Sequence, residues 1–459
     1  MASISALRRW LSGDRYPQDA RRPPAKVDDT YQTVQDDQPH NPYTEALLLH
    51  GHSGPVLKIC NIPGNRFVTL SDDTLIIVWD AESGSRLQVL RGHTAAVTCV
   101  LSLPRSSSEE DIIMTGSLDK SLRLWNLNSE EMVIEEGPCV RAVTDHSGAI
   151  LCLTQLGHDL VCSGGHDLCL WDTNGALLDK FDRCTLPDTS DVHTVLRLET
   201  AHLSVVAASN YKCLSVFDIE KPMLTDKGCY KFMRDQKRRY LNQSHVYPIT
   251  FLSGISASFF ASGCQGGSII VWSVQHLSAL KIFYCLPQPQ RELTTTEFTK
   301  VSCIEVVAEG YVFAAVGCGF KMYDVLGQEK DAAGHPKPLV SHTCAHLLPL
   351  TSLTFLQDRA QLVTVAEDKT MRLWGSPAAR QRREGEGNGH ATQGKSAIEM
   401  FIGPTSRKSS LPTVPLLLGE LHLHAGVIKV LSALEEQGVV TGGDDGSLVL
   451  WKVHSQFLL

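Results

Sequence analysis

Short apolar runs that end in an aromatic residue, then a small or polar one, recur along the whole chain. They read Ile76-Ile77-Val78-Trp79-Asp80, Leu122-Arg123-Leu124-Trp125-Asn126, Leu168-Cys169-Leu170-Trp171-Asp172 and Leu214-Ser215-Val216-Phe217-Asp218. Four more follow: Ile269-Ile270-Val271-Trp272-Ser273, Phe320-Lys321-Met322-Tyr323-Asp324, Met371-Arg372-Leu373-Trp374-Gly375 and Leu448-Val449-Leu450-Trp451-Lys452. Aliphatic and aromatic runs of this length, bounded by Gly, Asp and Ser, predict strands. Most intervals are close to the ~40 to 45 residues that fit four strands, so each unit is one small sheet. Eight such sheets predict an all-β fold, a single eight-bladed propeller over 44–455. Residues Glu45 to Leu49 are expected to pair with the last strands and close the ring without an open edge.

The units share more than the aromatic. Thr69 and Asp73 precede Trp79 as Thr115 and Asp119 precede Trp125, Thr364 and Asp368 precede Trp374, and Thr441 and Asp445 precede Trp451. A histidine stands upstream each time: His52, His93, His346 and His424. These sets resemble the Trp, Ser/Thr, His and Asp tetrad of WD-repeat proteins, in which indole, hydroxyl, imidazole and carboxylate satisfy one another in turn. Blades seven, eight, one and two carry the whole set. The third has a shortened turn at Gly164-Gly165-His166-Asp167, the fifth has Gly266 where Asp is expected, and the fourth and sixth replace Trp with Phe217 and Tyr323. Because the His/Asp pair repeats and no nucleophile accompanies it in a unique setting, the sets read as structural and no catalytic residue is assigned. No metal site or cofactor is expected either: the 14 cysteines show no C-x-x-C spacing, and no phosphate-cradling glycine loop or nucleophile elbow occurs.

Charge adds one exclusion. The formal net charge of -8 is spread along the chain, leaving no global positive field for nucleic acid or an anionic membrane. The apolar stretches are too short to span a bilayer, and Arg8 and Arg9 follow the first apolar residues, against a secretory leader. A cytoplasmic protein with reduced thiols is expected.

Three segments lie outside the blade pattern. The N-terminal tail, 1–43, opens with Ile4, Leu7, Trp10 and Leu11 at helical spacing and is otherwise expected to be flexible. Within it, Thr30-Tyr31-Gln32-Thr33-Val34 alternates like a strand with no evident mate in the ring, and reads either as a strand added to another protein's sheet or as disorder. A long insertion at 375–415 in blade seven carries an apolar island, Ile398, Met400, Phe401 and Ile402, between basic stretches; it is expected to be exposed and to fold on a partner, or to be a plain loop. Lys227 to Arg239 interleaves Tyr230 and Phe232 with basic residues, and an outer strand plus a solvated turn accounts for it more simply than nucleic-acid contact.

Some stretches go beyond the general repeat: Arg9-Trp10-Leu11, Asn41-Pro42-Tyr43-Thr44-Glu45, Gly165-His166-Asp167-Leu168-Cys169-Leu170-Trp171, and Val312-Phe313-Ala314-Ala315-Val316-Gly317. In these the chain resembles the family of WD repeat-containing protein 41 over nearly its whole length. The resemblance implies a non-catalytic scaffold in a complex with two DENN-domain proteins that act on small GTPases. It also implies peripheral recruitment to lysosomes, by docking on a PQ-loop cationic amino-acid transporter when amino acids are scarce, with a bearing on autophagy. Position by position, it puts a transporter-docking motif on Met400, Phe401, Ile402 and Gly403 and a DENN-contacting strand on Tyr31, Gln32, Thr33 and Val34. Family members continue past the last blade into a helical tail that grips the DENN partner; this sequence stops at Leu459, soon after Trp451, which implies a shortened form or a weaker grip. Two rivals stand beside this reading. A cullin ubiquitin-ligase receptor is disfavoured because the Trp-Asp-x-Arg positions read Trp79-Asp80-Ala81-Glu82 and Trp171-Asp172-Thr173-Asn174; an enzyme would require titratable groups outside the tetrads gathered in a pocket on one face.

Overall fold

The computed structural model describes residues 31–33, 38, 41–103, 111–127, 139–181, 191–199, 203–209, 212, 214–220, 230–233, 239–241, 245–285, 300–308, 310–330, 334–375, 396–402, 412–434 and 438–453. Eight antiparallel sheets follow one another, seven of them built from consecutive strands in chain order. Blade one is typical, with Val56–Ile62, Arg66–Ser71, Ile76–Asp80 and Arg86–Leu90 from the inside outward. Blade eight takes Ile428–Leu434, Gly438–Gly443 and Leu448–Val453 from the C-terminal end, then Tyr43–Leu49 (β2) from the N-terminal end. The closing strand is thus two residues longer than Glu45 to Leu49, beginning at buried Tyr43. One continuous ring results, since the innermost strand of blade eight packs on that of blade one.

Two devices join neighbouring blades. The first residue of each innermost strand (Val56, Val97, Ile150, Val192, Ile249, Val301, Leu350, Ile428) is buried. At four of the seams it sits over a glycine of the preceding blade: a Cβ on Gly116 would come 2.6 Å from Ile150, one on Gly263 2.6 Å from Val301, one on Gly442 2.8 Å from Val56 and one on Gly164 2.9 Å from Val192. The next residue on five of these strands reaches across to the following blade. Thr98, Thr250, Ser302 and Thr351 hydroxyls donate to the carbonyls of Ile150, Val301, Leu350 and Ile428 at 2.5 to 2.7 Å, and His193 Nε2 donates to that of Ile249 at 3.0 Å. A belt of polar links therefore runs inside an apolar seam. It gives the first carbonyl of each following strand a donor where the sheets meet.

Inside the blades the tetrad residues form hydrogen-bonded chains. In blade one the Trp79 indole donates to Thr69 Oγ1 (2.8 Å), Thr69 Oγ1 lies 2.8 Å from His52 Nε2, and His52 Nδ1 lies 3.0 Å from Asp73. Because the carboxylate accepts the Nδ1 proton, Nε2 is the acceptor and the hydroxyl donates to it. Blades two and seven repeat this through Trp125, Thr115, His93 and Asp119, and through Trp374, Thr364, His346 and Asp368. Blade eight differs at its last step. Trp451, Thr441 and His424 are joined as elsewhere, but His424 Nδ1 meets Ser447 Oγ (2.9 Å), and that hydroxyl meets Asp445 (2.6 Å).

The sequence pattern missed two partial sets. In blade three Trp171 donates to Ser163 (2.7 Å), which meets His146 (2.6 Å), while Asp167 pairs with Lys180 (3.0 Å) instead of the imidazole. In blade five Trp272, Ser262 and His245 are joined, and Ser268 Oγ takes the place of the carboxylate at 3.1 Å. Blade six has no room for an aspartate, because Val316 pairs directly with Gly319 across a two-residue turn whose Gly317 has φ 56°. There Tyr323 Oη meets Cys285 Sγ at 3.5 Å.

Burial pushes the imidazoles of His146, His245 and His424 down from their ordinary 6.5 to about 4. It lowers His93 and His346 as well, although Asp119 and Asp368 pull the other way. Burial alone would raise the carboxyls. Hydrogen bonds from His52, Ser53 N and Leu75 N outweigh it and hold Asp73 at about 2, and those from Ser121, Thr94 N and His93 do the same for Asp119.

Two expectations follow. Thr69→Val keeps the shape of the side chain but leaves the Trp79 N–H and His52 Nε2 buried without a partner, a loss of about 1–3 kcal/mol for each group; thermal unfolding should show a clearly lower Tm, and an unchanged one would contradict the role of the hydroxyl. Stability should also fall with acid. Near pH 7 the buried imidazoles are neutral in both states, whereas between about 6.5 and 4 only the unfolded chain takes up protons, so folding loses ground across that window. Below it the depressed aspartates extend the loss toward about pH 2. A Tm that stays flat from pH 7 to 4.5 in a calorimetric series would count against this account.

Candidate partner-docking surfaces

The segment leading into the ring is tied down more firmly than its sequence indicates. Tyr31–Thr33 (β1) does have a mate: it pairs antiparallel with β2, Tyr31 opposite Leu47 and Thr33 opposite Glu45, as a fifth strand on blade eight. The reading of this stretch as lacking a mate in the ring is thereby corrected. Its alternation matched an edge that exists only once β2 has joined the C-terminal strands. Thr30 and Val34 lie outside the described residues, as does the helical pattern at Ile4 to Leu11.

Between β1 and β2 the chain also holds blade seven. The Gln38 side chain acts as a short piece of strand, donating to Glu420 O (2.8 Å) and accepting from Glu420 N (2.9 Å). Asn41 then turns the chain, with its N–H on Gln38 O (3.0 Å) and its Oδ1 accepting from Tyr43 N (3.1 Å). Nothing in the pattern of apolar positions marks Gln38 or Asn41. The sequence signals are an amide-rich stretch just before a strand and, for Asn41, its place in the stretch Asn41-Pro42-Tyr43-Thr44-Glu45.

The insertion in blade seven holds a six-residue helix, Ala397–Ile402 (α1), starting at a capping box in which Glu399 N donates to Ser396 Oγ and Ser396 N to the Glu399 carboxylate. The expected exposure of the apolar island is corrected here. Ile398, Phe401 and Ile402 are buried, Phe401 fully, while Met400 is half-buried. The Phe401 ring stands edge-on to Phe313 of blade six and Phe355 of blade seven, with centroids 5.6 and 5.4 Å apart, so the helix fills a groove between the two blades beside Val307, Ala360 and Leu362. Gly403 lies outside the described residues. Past the helix, Thr413 bridges the outer strand of blade six: its N–H donates to Leu339 O (2.9 Å), it accepts from Ser341 N (3.1 Å), and its hydroxyl donates to Ile402 O (3.3 Å).

The energetics of this docking are finely balanced. Fully burying three large apolar side chains contributes about 1.5–3 kcal/mol each. Fixing six residues of backbone costs about 1–2 kcal/mol apiece, so the two sums nearly cancel. A helix this short has little stability of its own in water.

The third segment is structural where it is described. Lys231–Phe232 pairs with the third strand of blade four, and Phe232 is buried edge-on to Phe181 and Phe217. Among the described residues no group of three or more His, Cys, Asp and Glu is placed to hold a metal, and no helix is long and apolar enough to cross a membrane. Among the described residues the cysteines are free, and burial raises the thiols of Cys99, Cys152, Cys162 and Cys169.

The same architecture is found in known proteins. The model of the WDR41 β-propeller family matches residues 7–453. WD repeat-containing protein 41 of Homo sapiens is 27% identical over 97% of this chain and 94% of its own length, and that of Mus musculus is likewise 27% identical with the same coverage. Among solved structures, the computationally designed Ika8 protein superposes with a TM-score of 0.59 at 20% identity, covering 88% of this chain and 98% of its own, a likeness of fold alone. By its eight blades and by a family match that runs almost from end to end, the chain belongs to the WD repeat-containing protein 41 family of β-propellers.

Proposed function

We propose that the chain is a non-catalytic adaptor that joins a complex of DENN-domain proteins acting on small GTPases to a lysosomal PQ-loop cationic amino-acid transporter. In this role it brings the complex to lysosomes when amino acids are scarce and so supports autophagy. The observation that carries the reading is membership of the WD repeat-containing protein 41 family over nearly the whole chain; the WD-repeat ring and that family support a scaffold or adaptor role. Two features fit the finer assignment. Among the described residues β1 is the outermost strand of blade eight, and its outer side offers backbone N–H and C=O groups to a strand from another protein, which suits the DENN-facing side. The insertion carries a compact apolar anchor, docked on the ring by Phe401 with Met400 half-buried, which suits a transporter cavity once undocked. The histidines that resemble a catalytic set are committed to hydroxyl partners inside the blades, in an arrangement repeated from blade to blade.

Affinity purification of the wild type beside a Met400→Ala/Phe401→Ala double variant tests the assignment. The expected outcome is loss of lysosomal membrane proteins with DENN-domain proteins retained at wild-type levels, in a variant whose Tm stays within a few degrees of the parent. Recovery of the transporter by the double variant, or absence of DENN-domain proteins from both samples, would refute the corresponding half.

A further inference from the structure

We propose that α1 is an intramolecular latch: the groove between blades six and seven is a helix-accepting site, and the insertion's own anchor occupies it reversibly, so a partner must compete with the ring for Phe401. The inference deepens the adaptor reading and rests on it only for the identity of that partner; the latch itself stands on geometry.

Four observations point the same way. The anchor is complementary to the groove, with Ile398, Phe401 and Ile402 at i, i+3 and i+4 turned onto Phe313 and Phe355, the arrangement by which an amphipathic helix is taken up by an apolar groove. Its hold on the ring is almost wholly apolar: among the described residues, the side-chain hydrogen bonds to its backbone from outside the helix come from Ser396 and Thr413, both of which belong to the same insertion. A helix of six residues does not persist alone, so release of the anchor also means loss of the helix. Thr413, bridged to the outer strand of blade six, keeps a released anchor close to its groove, which makes re-docking an intramolecular event at high effective concentration. A partner that needs the Phe401 ring therefore binds only the undocked fraction, and its apparent affinity is reduced by that fraction.

Hydrogen exchange on the full-length chain, read by mass spectrometry with and without a synthetic peptide spanning residues 396–402, tests the latch. Exchange over 397–402 is expected to run at least tenfold faster than in Gly438–Gly443 of blade eight. It is expected to accelerate further and saturably with peptide, while the blade strands keep their protection. Exchange over 397–402 as slow as in blade eight and indifferent to the peptide would overturn the proposal, because the helix would then be fixed core. A second arm uses Phe355→Ala, which empties half the groove and leaves the anchor intact. Faster exchange confined to 397–402 supports the latch; if that variant unfolds, the peptide arm on the wild type still decides. The adaptor reading is judged separately by recovery of the transporter. A working latch with recovery unchanged in Phe355→Ala would remove the competition from the transporter assignment alone, whereas a rigid helix alongside transporter loss in the Met400/Phe401 variant would sink only the latch.

Discussion

A buried indole N–H has to find an acceptor, and in this ring it finds a hydroxyl on the neighbouring strand of its own blade. Trp79 and Thr69, Trp125 and Thr115, Trp374 and Thr364, and Trp451 and Thr441 all meet at 2.8 to 2.9 Å. Once that contact is made, the rest is constrained. The hydroxyl spends its proton on an imidazole, and the imidazole spends its own on a carboxylate or a second hydroxyl, which brings the loop entering the blade against the turn between its middle strands. One polar chain thus fixes three elements of a blade in a core that is otherwise aliphatic. Its low-dielectric surroundings raise both the strength of each link and the loss when one is missing.

The blades that lack the full chain show what can stand in for it. Asp167 turns to Lys180 because the blade-three hairpin is shorter, and His146 is left with Ser163 alone among the tetrad hydroxyls. Blade five uses Ser268 where Gly266 replaces the acid; a side chain at that glycine would collide with Tyr247, which lies 2.1 Å from the position of its Cβ. Blade four gives up the polar chain for an aromatic cluster of Phe181, Phe217 and Phe232. Cohesion at these positions rests more heavily on the seams between blades, where the Thr250 and Ser302 links and the His193 link bridge blades four to seven.

How much of this could be read from the residues depends on the sequence distance over which each contact is made. The aromatic spacing and the tetrads of blades one, two and seven lie within single units, at fixed offsets, and were legible. Blade three was not, since a two-residue contraction of its turn shifts Ser163 to eight residues before Trp171 and breaks the offset. The mate of Tyr31–Thr33 was hidden because its edge is assembled from both ends of the chain. Gln38 was hidden because a side-chain amide imitating a strand leaves no periodic trace. Phe401 reads as exposed in any local window, and only the approach of Phe313 and Phe355 from two other blades buries it.

That last case ties the physics of the ring to its use as a scaffold. The tetrads and seams tie the blades together, and the groove between blades six and seven is walled by Phe313 and Phe355, which belong to that frame and not to the insertion. The insertion, by contrast, gains from docking about as much as it loses in chain freedom, since three buried side chains are set against six ordered residues. A tied frame on one side and near-balance on the other are what allow a segment to exchange between its own fold and another surface without disturbing the ring that carries it. The N-terminal segment has the opposite character. Its backbone is woven into blade eight and clamped to blade seven through Gln38, so what it offers a neighbour is a fixed edge and not a movable arm.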